Sequence, residues 1–192
     1  MKKNENYELE FTSPRLILKR LSVKHSLLVL DYKFKNFEAH KLALPDRQGG
    51  YFQERVQKII LKEENDAFEN GTFIRLYMFE KKDVKQEKII GDVNIGDIKL
   101  GNISNCVIGI KIDSEHLRMG YGQEALETVI DFLFRSLNLH SITANILPDN
   151  NASLKLFENL GFEQEGLTRH HMKTGGRWRD HIRYSLINGA LP

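Results

Sequence analysis

The 192-residue sequence predicts a mixed α/β fold: a mostly antiparallel central sheet of about seven strands flanked by about four helices. Three features predict it. The middle of the chain, residues 72–113, is rich in Ile, Val, Phe and Tyr and is cut into three runs by polar turns. Residues 120–137 repeat apolar side chains every three or four positions. The C-terminal third alternates strand, capped helix and hairpin. Nothing resembling a linker, repeat or low-complexity tract interrupts the order, so residues 1–192 read as a single domain.

The elements follow in turn. Residues 8–20 hold Leu9, Phe11, Leu16, Ile17 and Leu18 around Ser13-Pro14, a first strand with an irregular start. Residues 24–35, with Leu27, Leu28, Leu30 and Phe34, read as a short helix, and Gln48-Gly49-Gly50 as a loop. Residues 51–69 place Phe52, Val56, Ile59, Ile60 and Phe68 at helical spacing, and Asn70-Gly71 stops them. Runs 72–80, 88–98 and 103–113 read as antiparallel strands. In 120–137 the apolar face is Ala125, Leu126, Val129, Ile130, Leu133, Phe134 and Leu137. Residues 141–147 form a short strand. Asp149 or Asn150 caps a helix that runs to about Leu160 and ends at Gly161. Residues 162–173 and 178–187 pair as a hairpin around Lys173-Thr174-Gly175-Gly176.

Bulk properties narrow the function classes. Hydrophobic residues are 41% and charged residues 28%, ordinary for a soluble protein. A net charge of +2 gives no argument for direct nucleic-acid binding. The apolar runs are too short to cross a membrane. Met1 to Asn6 lacks the apolar core of a signal peptide. The one cysteine, Cys106, excludes an internal disulfide and suits a reducing, cytoplasmic setting. No His, Cys or acidic pair has a zinc spacing, so no metal is expected.

The stretch Arg118, Met119, Gly120, Tyr121, Gly122, Gln123 carries the first chemical signal. It joins a strand to a helix. Two glycines let the backbone approach a ligand, and the free N–H groups of the helix start attract phosphate. Arg118 adds a cation for a pyrophosphate. The stretch lacks the Gly-Lys-Ser/Thr of an ATP-binding loop and the third glycine of a dinucleotide fingerprint.

The second signal is Asn150-Asn151-Ala152-Ser153 followed by Leu160-Gly161-Phe162. The pairing of G-x-G-x-x-E-A-L with N-x-x-S…L-G-F about thirty residues on resembles the GNAT acetyltransferases. The ending Glu165-Gly166-Leu167, then Gly175-Gly176-Arg177-Trp178-Arg179-Asp180-His181, resembles the RimJ/RimL branch, which acetylates protein N-termini, ribosomal proteins among them. Thr12-Ser13-Pro14-Arg15-Leu16 and Ile89-Ile90-Gly91 suit that branch.

The resemblance implies acetyl-CoA as cosubstrate and a primary amine, such as a ribosomal or other protein N-terminus, as acceptor. It implies the pyrophosphate on the amides of Arg118 through Gln123. The pantetheine then pairs with the strand at Ile110 and Ile112, which needs that strand to splay from its neighbour after residue 113. Asn151 bonds the pantetheine arm, and Ser153 stands near the sulfur as catalytic acid. The branch leaves a homodimer open. A small-molecule amine acceptor (antibiotic, polyamine or amino acid) and a non-catalytic acetyl-CoA-binding module remain as alternatives.

This chain also departs from the family. Leu117 replaces a usual Gln or Arg, and Arg118 a usual Gly. Phe157 stands where many relatives place a tyrosine acid, and Val107 where some carry a glutamate base. The missing base matters less for an α-amine, roughly 10–15% neutral at pH 7, than for a lysine, neutral in about one molecule in two thousand. The residues also carry plainer readings: Ser153 as a helix-start residue bonding its own backbone, and Cys106 as a small core residue.

Overall fold

A computed structural model describes residues 9–41 and 50–190. Met1 to Asn6 and the Gln48-Gly49 part of the expected loop lie outside the described residues. The irregular first strand is two strands, β1 (Glu10–Thr12) and β2 (Leu16–Lys19), paired antiparallel. Pro14 lacks the N–H that a continuous ladder needs, and Ser13 N closes the corner onto Leu16 O at 3.0 Å. A 3-10 turn leads into α1 (Ser26–Lys35). The next helix, α2 (Phe37–His40), was not expected, because four residues are too few to show a period. After α3 (Glu54–Glu69) come β3 (Ile74–Glu80), β4 (Gly91–Lys99) and β5 (Asn105–Ile112). The rest is α4 (Tyr121–Arg135), β6 (Ser141–Ile146), α5 (Asn151–Asn159), β7 (Glu163–Thr174) and β8 (Arg177–Ile187). The split first strand and α2 account for eight strands and five helices against the expected seven and four.

One sheet runs in the order β1-β2-β3-β4-β5-β6-β8-β7. Every described pairing is antiparallel except β5 with β6, which α4 connects. The two-residue alternation of strands assigns the faces. Leu76, Met78, Val93, Ile95 and Ile108 point to α4 and α5, and meet the buried stripe Ala125, Leu126, Val129 and Leu133. Each such large side chain taken out of water stabilises the fold by about 1.5–3 kcal/mol. Tyr77 and Phe79 point the other way, to Val29 and Tyr32 of α1 and Leu61 of α3.

The sheet opens in its middle. Parallel pairing runs only from Asn105↔Ser141 to Val107↔Thr143. Beyond that, β5 stays with β4 as far as Ile112↔Gly91, while β6 stays with β8 as far as Ile146↔Ile182. The splay therefore begins directly after Val107, not after residue 113. Each strand keeps its antiparallel partner, whose pairing is the more stable per residue, and gives up the parallel one. The final hairpin turns at Gly175 and Gly176, with φ of 58° and 76°, the doubly left-handed turn that two-residue hairpins favour. Among the described residues no helix is long and apolar enough to cross a membrane.

Candidate active site: a cleft between diverging strands

Asp113 N donates to Ile90 O at 2.9 Å, so the odd-numbered residues at the end of β5 turn their backbone groups to β4. The even ones, Ile108, Ile110 and Ile112, turn theirs to the open edge. His40 Nε2 lies 2.8 Å from the Ile112 carbonyl oxygen, so that acceptor is already engaged. The Ile110 N–H and C=O are left facing the gap.

The N-terminus of α4 stands at the end of this edge. Gly120, the N-cap, has φ 78°, and no side chain caps the helix. Glu124 N donates to Gly120 O at 3.2 Å, which leaves the N–H groups of Tyr121, Gly122 and Gln123 without intrahelical partners. A Cβ at Gly122 would stand 3.3 Å from Leu156 and 3.8 Å from Ile110 and Ile112. A glycine lets this turn close onto β5 and α5 without displacing the Leu156 side chain. Arg118 has φ 61°, which explains the family's glycine there; the left-handed geometry costs a larger residue about 1–2 kcal/mol. Its side chain and that of Met119 are exposed. The Tyr121 side chain faces inward, and its hydroxyl donates to Glu80. What Tyr121 offers the gap is therefore its amide.

The loop is clamped from the N-terminal strands. Arg15 Nε meets Glu124 Oε2 at 2.6 Å, and Arg15 Nη1 donates to Met119 O at 2.9 Å. The Ser13 hydroxyl and the Arg15 amide reach Glu124 Oε1 at 2.6 and 2.7 Å. The guanidinium lies 4.6 Å from the Tyr121 ring centroid. Burial pushes the Glu124 carboxyl up, but the bonds from Ser13 and Arg15 outweigh it and hold the group below its ordinary value. A carboxylate in the first turn of α4 is thereby neutralised beside amides that would otherwise meet an anion under its repulsion.

Between β5 and β6 lies a cleft of about 320 Å³. It is lined by Ile110 and Lys111 on one side, Asn145 and Ile146 on the other, Asn150, Ser153 and Phe157 of α5, and Met172 and His181 of the last hairpin. Ser153 N donates to Asn150 Oδ1 at 3.1 Å, the cap of the helix. The Ser153 hydroxyl has no hydrogen-bond partner among the described residues, so the plainer reading of it as a backbone-bonding serine does not hold. Asn151 is the exposed first residue of α5 and lies outside the lining, where Asn150 stands instead. A more open hollow of about 610 Å³ lies behind α4, between Glu127 and Asn188, away from all of these groups.

Sequence reasoning missed the charged floor of the cleft. Asp92 is fully buried on the face opposite α4. It meets Arg75 and accepts from the Tyr32 hydroxyl at 2.9 Å, and Lys111 Nζ lies 3.9 Å away. Arg75 Nε binds Glu64 at 2.6 Å. Burial opposes ionisation of Asp92, but Lys111, Lys33 and Arg75 overcome it and hold its pKa well below the carboxylate range. Burial likewise pulls the Lys33 ammonium down to about 7. The signal was present: Arg75, Asp92 and Lys111 are charges inside apolar strands, and antiparallel pairing sets them side by side.

A sheet opened beside a helix start that offers three free amides has the shape and donors to accept an extended, phosphate-bearing molecule. The Acetyltransferase (GNAT) domain model matches residues 15–163, and the chain belongs to that family, the GNAT N-acetyltransferases. The probable N-acetyltransferase YjcK of Bacillus subtilis is 30% identical over 142 residues, 74% of this chain and 77% of its own. The [ribosomal protein uS5]-alanine N-acetyltransferase of Escherichia coli is 27% identical over 93% of this chain and 91% of its own. The spermidine N(1)-acetyltransferase of Vibrio cholerae is 30% identical over 53% of this chain and 56% of its own. The crystal structure of the ribosomal-protein-S5-alanine acetyltransferase of Vibrio fischeri superposes with a TM-score of 0.86 at 25% identity, covering 94% of this chain and 97% of that one. Named relatives and structural neighbours thus include RimJ/RimL ribosomal-protein acetyltransferases.

Proposed function

We propose that the chain, acting as one domain in the cytoplasm, transfers acetyl from acetyl-CoA to a protein N-terminal α-amine. The observation that carries this is coverage: likeness to the uS5-alanine enzyme spans 93% of the chain, that to the spermidine enzyme 53%. The cleft supports the same choice. Arg75, Lys111 and His181 are among the described residues lining it, and no Asp or Glu is. A polyamine carries several positive charges and would find no carboxylate on the described lining to pair with; a peptide N-terminus carries only one.

The amides of Arg118, Met119, Gly120, Tyr121, Gly122 and Gln123 hold the pyrophosphate. Ile110 and Ile112 offer the open strand edge to the pantetheine, with Ile110 the freer of the two, and Asn151 reaches the arm from the start of α5. The acetyl end then lies near Ser153. The amine nitrogen attacks the thioester carbon, the C–S bond breaks, and Ser153 delivers a proton to the departing sulfur. Most of the acceleration comes from holding amine and thioester together.

The test is turnover with acetyl-CoA and a panel of N-terminal peptides and small amines, read by CoA release and product mass. Turnover on peptides is expected. Turnover confined to small amines would move the acceptor class, and tight acetyl-CoA binding with no turnover would point to a binding module. Ser153→Ala is expected to lower kcat roughly tenfold to a hundredfold while acetyl-CoA affinity holds. Equal loss of both would remove its assignment as the acid.

A further inference from the structure

We propose that His181 is the base that takes the proton from the acceptor ammonium, its Nε2 facing the amine across the cleft from Ser153. This rests on the acetyl-transfer reading above.

Four observations carry it. His181 lines the cleft, as Ser153 does, yet only 5% of it is exposed. Its Nδ1 lies 3.2 Å from the Arg179 carbonyl oxygen, which can only accept. The neutral ring therefore keeps its proton on Nδ1 and bares a lone pair at Nε2, which has no partner among the described residues. The third observation is the face. Ile182, Tyr184 and Leu186 of β8 belong to the core under α4 and α5. Alternation sets His181 on the other face, with Arg183, whose guanidinium reaches Thr143 at 3.4 Å. The cosubstrate takes the α4 side, so the amine must approach from the side of His181.

The fourth observation is the charge around the ring. His171 of β7 stacks near it, ring centroids 5.1 Å apart. Arg179, Asp180 and Arg183 neighbour it on β8, and Arg75 of β3 and Lys111 of β5 share the cleft. Burial lowers the His181 pKa; the Arg179 carbonyl and Asp180 raise it, His171 and Arg179 lower it, and the sum is below the ordinary value. The lowered pKa favours the neutral ring, whose Nε2 lone pair can accept.

The protons balance. The ammonium gives one proton to Nε2, which holds it while the N–C bond forms and releases it to solvent only afterwards. The neutral amine then forms the N–C bond as the C–S pair withdraws onto sulfur. The second amine proton ends on that sulfur through Ser153. The products are the acetylated amine, the free thiol of CoA and one proton in solution.

The pH dependence follows. With a base, the productive form is ammonium plus neutral histidine, so activity falls only as pH drops through the His181 pKa, below about 6.5. Without it, the amine must shed its own proton, and the acid limb moves up to about 7.8.

The experiment has two arms. Long-range ¹H–¹⁵N spectra of histidine-labelled wild-type protein read the tautomer without any variant: neutral, with Nδ1–H, is expected at pH 7. A protonated ring or an Nε2–H tautomer overturns the proposal. In the second arm, pH–rate profiles of wild type, His181→Gln and His181→Asn are recorded with acetyl-CoA and a peptide beginning with alanine, with spermidine as the small-amine control. The expected kcat falls roughly fivefold to tenfold at pH 7, in line with the fraction of α-amine that is neutral there, returns towards wild type at pH 9, and leaves acetyl-CoA affinity and Tm unchanged. A kcat within threefold of wild type, or a loss with the limb unmoved, overturns the assignment while leaving the acetyl-transfer reading standing. A wild type that turns over neither acceptor removes both.

Discussion

The two faces of the opened sheet are built by different means. Under α4 and α5 the work is done by apolar packing and bare backbone: a glycine turn, three free amides and one strand edge. Under α1 and α3 it is done by ionised side chains, with Asp92 fully buried among Arg75, Lys111 and Lys33. A cosubstrate common to a whole family can be held by groups every sequence possesses. An acceptor that differs among relatives has to be met by side chains, and charges sunk in a core tolerate little alteration around them.

The comparison can be broken most forcefully at Asp92. Asp92→Ala leaves buried cations unpaired and is expected to cost about 3–5 kcal/mol of stability, read from urea midpoints. The protein that remains folded should bind acetyl-CoA as before. Near-native stability would mean that the face under α1 and α3 is held by the packing of Tyr77, Phe79 and Leu61 and not by these ions.

A smaller effect tests the other side. Gly122→Val places a branched side chain where a Cβ already meets Leu156 at 3.3 Å. We expect acetyl-CoA to bind roughly tenfold more weakly or worse, about 1.4 kcal/mol, by calorimetric titration. Unchanged affinity would show that the first turn of α4 is not where the cosubstrate sits.

The smallest effect is at Cys106, which tests the reading of this residue as core packing on the α4 face. The thiol is fully buried, and burial pushes its pKa up to about 12. Cys106→Ala should change turnover by less than about twofold and stability by about 1 kcal/mol. A large drop in turnover would point to a covalent acetyl-enzyme on Cys106 in place of direct attack by the amine.

The same division explains what the sequence disclosed. Gly120, Gly122, Asn150, Ser153 and Gly161 act within a few residues of themselves, so their meaning survives in a linear reading. The helix stripe from Ala125 to Leu133 and the Gly175-Gly176 turn were legible for that reason. Glu64, Arg75, Asp92 and Lys111 come from four separate elements, and each alone is an ordinary charge. Strand alternation could have paired the last three; nothing local ties Glu64 to them. The splay after Val107 depends on β8, a strand some seventy residues further on, and the start of the opening was placed too late for that reason. Thr12 to Leu16 carries a family pattern whose physical basis, the contact of Ser13 and Arg15 with Glu124, lies more than a hundred residues away.

That contact joins Arg15 to a residue 109 positions later. Loop closure over such a span is among the slower contributions to folding, since the entropy is lost before the contact is gained. On a ribosome, the piece that braces the Gly120 turn is made early and must wait for α4 before it can act. Order of synthesis and order of assembly run in opposite directions, and the turn reaches its braced form only when one of the earliest segments closes over it.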